Sequence, residues 1–506
     1  MKSASNLSQL LELGTASSTA ISAPDRASLT YAGLRELANR TRESLNASGI
    51  GRTDRVAIVL PNGPEMATAF VAIATAATTA PLNPGYKQEE FEFYLEDLRA
   101  RALVVEAGST SPAVEAARKQ GISILELTTE ADRAAGDFDL KTDSANNTEP
   151  PGPSAADDIA LILHTSGTTS RPKIVPLSHK NVTASASNIA ASLALTTEDR
   201  CLNVMPLFHI HGLIAAVLSS LRAGASIHCT PGFNALRFFS WMEATQPTWY
   251  TAVPTMHQAV LVRADKNRTV IDAVPLRLIR SSSSSLPPQV FAELEATFGV
   301  PVIEAYGMTE ASHQMASNPL PPAERKAGTV GTAAGPEVAI MNESGDLLEP
   351  GAIGEIVIRG NNVTSGYENN PKANAENFTN GWFRTGDQGV MDGQGYLSIT
   401  GRLKEIINRG GEKISPREVD DVLMDHPAVQ QIVTFAMPHD KLGEEVAAVV
   451  VLREGAEATV QALRSFAGER LAAFKVPRKI LFLEEIPKGA TGKLQRIGLA
   501  EKLGLA

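Results

Sequence analysis

From Leu29 onward, short apolar runs of strand length alternate with helical segments, and that rhythm leaves few folds open. Tyr31, Leu34, Leu37 and Ala38 mark one helical face, and residues 56–60 make an apolar run that ends at Pro61-Asn62-Gly63. Residues 66–77 read as an Ala-rich helix, Phe91, Tyr94, Leu95 and Leu98 recur at helical spacing, and residues 102–106 give the next strand. Strands separated by helices need crossover connections, so parallel sheet with helices on its faces is expected. Runs at 159–163, 201–205, 249–253, 276–279 and 302–304 continue the pattern, with a helix predicted at 215–221 and an exposed connector at 128–158. In such sheets ligands gather at the carboxyl ends of strands, so the turns there are where chemistry belongs.

Beyond Gly351 the character changes. Residues 353–359 and 395–400, with Gly-rich turns, suggest a mostly antiparallel β-region. From about Lys404 a compact tail has strands at 431–437 and 446–452 and a helix at 460–474. The predicted class is α/β: a large N-terminal domain of parallel and mixed sheets with helices plus a β-region, residues 1–403, and a small C-terminal α+β domain, residues 404–506.

A chain of 506 residues is too long for one ordinary core, and 43% apolar with 20% charged residues describes a soluble globular protein. The net charge of −10 argues against a general nucleic-acid or anionic-membrane binder, though not against a local cationic pocket. Cys201 and Cys229 give no disulfide framework and read as small core residues in a reducing compartment. Residues 1–13 lack a signal-peptide pattern, no run reaches the ~18 apolar residues of a membrane span, and Gly504-Leu505-Ala506 is not a peroxisomal address. The expected compartment is the cytoplasm.

One polar stretch, His164-Thr165-Ser166-Gly167-Thr168-Thr169-Ser170-Arg171-Pro172-Lys173, lies between an apolar strand and a helix whose expected N-cap is Ser178. Its hydroxyls and backbone N–H groups can wrap a polyphosphate, and its cations offset the charge. A solvated turn is the bland alternative. It is not a Walker loop, because the G-x-x-x-x-G-K-[ST] spacing is missing. Four later segments stand out: Tyr306-Gly307-Met308-Thr309-Glu310, Arg384-Thr385-Gly386-Asp387, Thr400-Gly401-Arg402-Leu403-Lys404-Glu405, and Pro487-Lys488-Gly489-Ala490-Thr491-Gly492-Lys493.

In this order and at these separations, the five segments make the chain resemble the acyl-adenylate-forming superfamily of acyl-CoA synthetases, luciferases and nonribosomal adenylation domains. The resemblance runs from Tyr31 to Lys493 and implies ATP, Mg²⁺ and CoA alongside a carboxylic acid. It assigns Thr165, Ser166, Gly167, Thr168, Thr169 and Lys173 to the phosphates of ATP, although Ser170 and Ile174 stand where glycine is common. Tyr306 would stack on adenine, Thr309 would contact phosphate, and Glu310 would be the carboxylate associated with Mg²⁺. Asp387 would accept hydrogen bonds from the ribose hydroxyls, with Arg402 assisting. Lys493 would stabilise charge as a carboxylate oxygen attacks the α-phosphate. Lys404 would be the hinge on which a mobile small domain swings between adenylation and thioester formation. Gly410 and Gly411 would meet the CoA arm, though a hairpin turn explains them equally well.

The acid-binding segment departs from relatives that take fatty or aromatic acids. Where many read Ser-Gly-Ala-Ala-Pro-Leu, this chain reads Ser281 to Ser285 and then Leu286. His313 follows Glu310, and His209 and His211 flank Ile210. Serine narrows a pocket and adds hydroxyls, and histidine adds imidazole donors. Such a site suits a very small, doubly charged acid, one carboxylate being adenylated and the other held by Ser283, His313 and His209, with Ser282 beside them. Within the superfamily the pattern is similar to oxalate–CoA ligases, which implies oxalate. His211 reads better as a satisfied structural histidine, and part of the serine run can serve as backbone lining for adenine.

Two other functions stay open: a CoA ligase for another short-chain, fatty or coumarate-like acid, and a non-catalytic nucleotide-binding homologue. With no carrier domain in the sequence, free CoA is the simpler acceptor. A monomer or homodimer is expected. Lys493→Ala should strongly depress adenylate formation, read as acid-dependent pyrophosphate exchange, yet leave thioester formation from a pre-made adenylate largely intact. Equal loss of both would contradict the role given to Lys493.

Overall fold

The computed structural model describes residues 4–130, 132–141, 152–165, 172–487 and 495–505. Two large sheets face each other. The seven-stranded sheet runs, from edge to edge, Asp139–Lys141, Ser123–Thr128, Ala102–Glu106, Arg55–Val59, Thr78–Pro81, Ile159–Thr165 and Lys173–Ser178. The nine-stranded sheet runs Thr332–Ala333, His313–Ser317, Val302–Met308, Leu278–Ser282, Trp249–Ala252, Arg200–Asn203, Ser226–Cys229, Thr19–Ser22 and Leu29–Thr30. Interior strand pairs are parallel in both, and antiparallel strands close the edges. Such doubly covered strands read as continuous apolar runs, which is why the sequence announces them.

The helices Tyr31–Ala47, Pro64–Ala74 and His179–Ser192 pack between the sheets, in one core that includes Phe70, Val182, Trp249 and Ile303. Separate cores cover the outer faces, one around Phe238 and Tyr250, the other around Phe91 and Leu103. A third, antiparallel sheet of five strands is built on Ile353–Arg359 and Trp382–Met391. A fourth, from Ile407 onward, is centred on the long pair Val429–His439 and Gly443–Leu452, with apolar clusters on both faces.

The α/β class holds, with local corrections. The predicted helix at 66–77 ends at Ala74, where Thr75 caps the Ala72 carbonyl at 2.7 Å. After residues 75–77 comes a strand, Thr78–Pro81, whose Thr78 and Thr79 hydroxyls donate to the Ile159 and Ala160 carbonyls at 2.7 Å. The Ala-rich run hid that change of period. The connector at 128–158 is not wholly exposed: it contains the edge strand Asp139–Lys141 and buries Phe138. The tail helix is Val460–Gly468 rather than 460–474, so Leu471 and Phe474 pack from the following turn. A helix at Pro416–Met424, capped by Ser415, had no place in the sequence reading. The helix expected at 215–221 begins earlier, as the π-helix His211–Leu218. Gly212 is needed there, because a β-carbon would lie 2.4 Å from the Pro206 carbonyl oxygen.

Both cysteines are buried and free, as expected of core residues. Among the described residues no helix is long and apolar enough to cross a membrane.

One carboxylate in this framework titrates unusually. Glu304, on the strand Val302–Met308, is buried; one oxygen accepts the Leu286 N–H at 3.0 Å and the other has no partner among the described residues. Burial pushes its pKa from 4.5 up to about 7, opposed only partly by Arg417. The native state therefore keeps a proton that the unfolded chain has lost. The stability this provides is complete below the unfolded value of 4.5 and is lost as pH rises through 7. Glu304→Gln keeps the acceptor for Leu286 and cannot ionise. Relative to wild type it should gain about 2–3 kcal/mol between pH 5 and pH 8. Thermal melts at the two pH values check this, and parallel shifts would exclude it.

Candidate active site

Three motif segments meet at the carboxyl end of the strand Val302–Met308. Tyr306, buried, donates its hydroxyl proton to Asp387 at 2.5 Å. Arg402 donates to the other Asp387 oxygen at 2.8 Å, across the antiparallel pair that places the two residues in register. Burial and the Asp387 charge push the Tyr306 phenol well above its ordinary value, so it stays a donor. The rest of the Arg-Thr-Gly-Asp segment holds the turn. Arg384 pairs with Glu355 at 2.7 Å, the Thr385 hydroxyl donates to the Ile356 carbonyl at 2.7 Å, and the Gly386 N–H donates to Glu355 at 2.9 Å. Arg402 keeps 46% of its side chain exposed, so this corner faces both solvent and a buried carboxylate.

Glu310 stands in the short turn Thr309–Ala311 and is buried. It accepts the Tyr367 hydroxyl at 2.8 Å. Burial raises its pKa, while Tyr367, Arg402 and Lys173 oppose the rise. Lys173 lies 4.3 Å over the Tyr367 ring. Its pKa is lowered by burial first and by Lys404 second. Thr165 and Lys173 are register partners on adjacent antiparallel strands. Ser166, Gly167, Thr168, Thr169 and Lys493 lie outside the described residues. Thr309 and His209 line one cleft together with Tyr94, His164 and Phe208.

The acid segment is also gathered at strand ends. His211 Nδ1 is 2.9 Å from the Ser283 hydroxyl and its Nε2 is 2.7 Å from the Thr251 hydroxyl. The His313 ring stacks on His211 with centroids 4.9 Å apart. Ser283, Ser312 and His313 have φ of 72°, 48° and 99°. Left-handed backbone at three non-glycine residues is costly and concentrates where a structure holds side chains for a task. Ser282 is placed differently: it is buried and donates its hydroxyl proton to the Ala305 carbonyl at 2.7 Å. His211 is hydrogen-bonded at both nitrogens, as a structural histidine would be, yet its partner is the acid-site Ser283.

Lys404 is exposed in the turn Leu403–Glu405, directly after Arg402. Glu405 pairs with Arg496 at 3.2 Å, and Arg496 also pairs with the buried Asp420 at 2.8 Å. Gly410 and Gly411, with φ of 59° and 97°, form the two-residue turn of a hairpin between Ile407–Arg409 and Glu412–Ile414.

Sequence reasoning passed over Tyr367, Thr251, Arg280 and Gln314. None belongs to a motif; Thr251 sits inside the run 249–253, which reads as ordinary buried strand, and Arg280 directly follows the run 276–279. An arginine at the end of such a run was the available signal, since charged residues are almost never fully buried without a role.

The family model described as AMP-binding enzyme matches residues 14–368, and that of the AMP-binding enzyme C-terminal domain matches residues 418–493. An oxalate–CoA ligase of Arabidopsis thaliana is 47% identical over 94% of both chains. An oxalate–CoA ligase of Saccharomyces cerevisiae is 46% identical over 89% of this chain and 87% of its own length. The crystal structure of ATP-bound MatB from Rhodopseudomonas palustris is 29% identical and superposes with a TM-score of 0.89 over 98% of both chains.

Tyr306→Phe removes one donor from the buried Asp387 carboxylate and keeps the ring. A hydrogen bond to a charged group is worth roughly 1.5–3 kcal/mol, so the KM for ATP should rise about tenfold or more. The KM for the acid should hardly move. Steady-state kinetics with each substrate varied in turn distinguishes this from a general loss of structure, which would move both.

Proposed function

This chain belongs to the AMP-binding enzyme family and is an ATP-dependent acid–CoA ligase, and from that premise we propose that its acid is oxalate. The observation that carries the reading is the polar acyl end of the site, where His211 is bonded to Ser283 and stacked on His313. A fatty or aromatic acid would leave these hydroxyl and imidazole groups facing hydrocarbon. The second carboxylate of oxalate suits a wall of such polar groups, with His209 on the cleft it shares with Thr309. The names borne by the Arabidopsis and yeast relatives support the same acid.

In the first step a carboxylate oxygen attacks the α-phosphorus of ATP. The bond to the bridging oxygen of the β-phosphate breaks, and pyrophosphate leaves. In the second, the CoA sulfur attacks the acyl carbon and the bond to AMP breaks. The thiol proton passes to solvent, leaving acyl-CoA and AMP. We assign Tyr306 to adenine, and Asp387 with Arg402 to the ribose hydroxyls. Thr309 and the loop residues Thr165, Ser166, Gly167, Thr168, Thr169 and Lys173 are assigned to the phosphates. Lys493 stabilises the charge that builds on the five-coordinate phosphorus. The two domains divide at residues 403 and 404, with Lys404 as the pivot, and Gly410 and Gly411 let the CoA arm approach the backbone. The buried thiols of Cys201 and Cys229 suit the reducing cytoplasm.

Glu310 fits a role in holding Mg²⁺. It is a buried hard-oxygen donor whose burial disfavours its charge, so a cation beside it is welcome. Mg²⁺ takes one or two protein carboxylates and completes its shell with phosphate and water. When bound, the ion neutralises phosphate charge. Tyr367 holds the Glu310 carboxylate in place through its hydroxyl.

The decisive measurement is acid-dependent pyrophosphate exchange and CoA consumption over oxalate, malonate, acetate, coumarate and octanoate. Oxalate should give the highest kcat/KM. Faster turnover of coumarate or octanoate would overturn the assignment.

A further inference from the structure

Arg280 is the most unusual charge in the molecule. It lies in the middle of the strand Leu278–Ser282, with 0% of its surface exposed. No carboxylate among the described residues forms an ion pair with it, and its Nε has no hydrogen-bond partner among them. Its contacts are both neutral: Nη1 to the Thr251 hydroxyl at 3.4 Å, and Nη2 to the Gln314 side-chain oxygen at 3.2 Å. Burial lowers its pKa to about 9, still cationic at neutral pH. A buried cation without an anion is strongly destabilising, and guanidinium is the side-chain cation least able to escape by losing its proton.

Both contacts lead to the acid site. Gln314 follows His313 directly, and its amide is fixed by donation to the Ser192 hydroxyl at 3.0 Å and the Ala334 carbonyl at 3.3 Å. That orientation leaves its oxygen for Arg280. On the other side, Thr251 bonds His211 Nε2, and His211 Nδ1 bonds Ser283.

The direction of each proton follows from donor chemistry. A guanidinium has only donors. At 3.4 Å it acts on Thr251 mainly through its charge, drawing the oxygen lone pairs toward itself and turning the hydroxyl proton away. That proton then faces His211 Nε2, which accepts it, so the imidazole carries its hydrogen on Nδ1 and donates to the Ser283 oxygen. The Ser283 hydroxyl proton is then available to another acceptor. With the opposite tautomer, Ser283 would donate to His211 and turn lone pairs toward an anion. Hydrogen bonds aligned in one direction reinforce each other.

We propose that Arg280 is a positioning residue for a dianionic acid: through Thr251 and His211 it fixes Ser283 as a donor, and its buried charge favours substrates that retain a carboxylate after the other is adenylated. The inference rests on the assignment of oxalate above and deepens it. Adenylation consumes the only carboxylate of a monoanion, which leaves the Arg280 charge uncompensated. With oxalate, one carboxylate remains near Ser283 and His313. Discrimination between acids is a difference in free energy, and here it would come from a cation that touches neither of them.

The test compares oxalate with oxamate, its monoanionic isostere, in wild type, Arg280→Gln and Arg280→Lys. In Arg280→Gln the KM for oxalate should rise about tenfold or more, while the KM for ATP and the inhibition constant of oxamate stay within about threefold. Arg280→Lys should recover part of the loss, because it restores the charge. A second readout needs no turnover. In protein labelled with ¹⁵N-histidine, with the His211 signal assigned through His211→Asn, wild type should show the Nδ1–H tautomer and Arg280→Gln should lose that preference. An unchanged oxalate KM in Arg280→Gln, a parallel loss for oxalate, oxamate and ATP, a Lys variant no better than Gln, or an unchanged His211 tautomer would each overturn the inference. Wild-type turnover of oxalate combined with any of those results fails this inference alone. A wild type that passes oxalate over fails the functional assignment and this inference together.

Discussion

The register of the parallel strands in the nine-stranded sheet is the constraint on which the site depends. Thr251 is the direct partner of Arg280, Arg280 of Ile303, and Ser282 of Ala305. Side chains alternate across a sheet, so a slip of one residue would turn Thr251 and Arg280 onto the opposite face and dissolve every contact behind Ser283. The surrounding packing prevents the slip. Trp249, Leu278 and Ile303 go to the core between the sheets, while Tyr250, Ile279 and Val302 go to the outer core. Hydrophobic burial on both faces therefore fixes where a handful of polar groups must stand.

Charge is distributed with the same economy. Glu310 and Asp387 are buried and both meet tyrosine hydroxyls, while Lys173 and Arg402 approach from the solvent side. At the acyl end the fully buried Arg280 supplies a cation. The nucleotide side thus combines fixed carboxylates with accessible cations, and the acid side presents a positive interior screened by neutral donors. One site can then draw a polyanion and a small dianion together without either occupying the other's place.

Much of this was legible in the sequence. Continuous apolar runs announced the parallel strands, Ser178 announced the cap of the helix His179–Ser192, and the motif segments marked the corner where Tyr306, Asp387 and Arg402 meet. What escaped was of two kinds. Short elements with mixed signals were missed, such as Thr78–Pro81, where four residues carry no period of their own and pairing with Arg55–Val59, with hydroxyl contacts to a neighbouring strand, defines them. Groups whose meaning is relational were missed as well. Tyr367 matters because Glu310 and Lys173 converge on it from distant segments, and Thr251 because two residues far apart in sequence both reach its hydroxyl. No local pattern encodes such meetings; they exist only once the sheet has aligned its strands.

The turn Leu403–Glu405 carries one more consequence. Arg402 on one side is held by Asp387, and Glu405 on the other by Arg496, so only two residues lie between attachments to the body and to the tail. A span that short reaches at most about 10 Å. A tail on such a tether is confined beside the body. Its local concentration there stays far above anything a separate polypeptide could match in a cell, so the same tail supplied as a detached fragment would be a poor substitute even with every side chain intact.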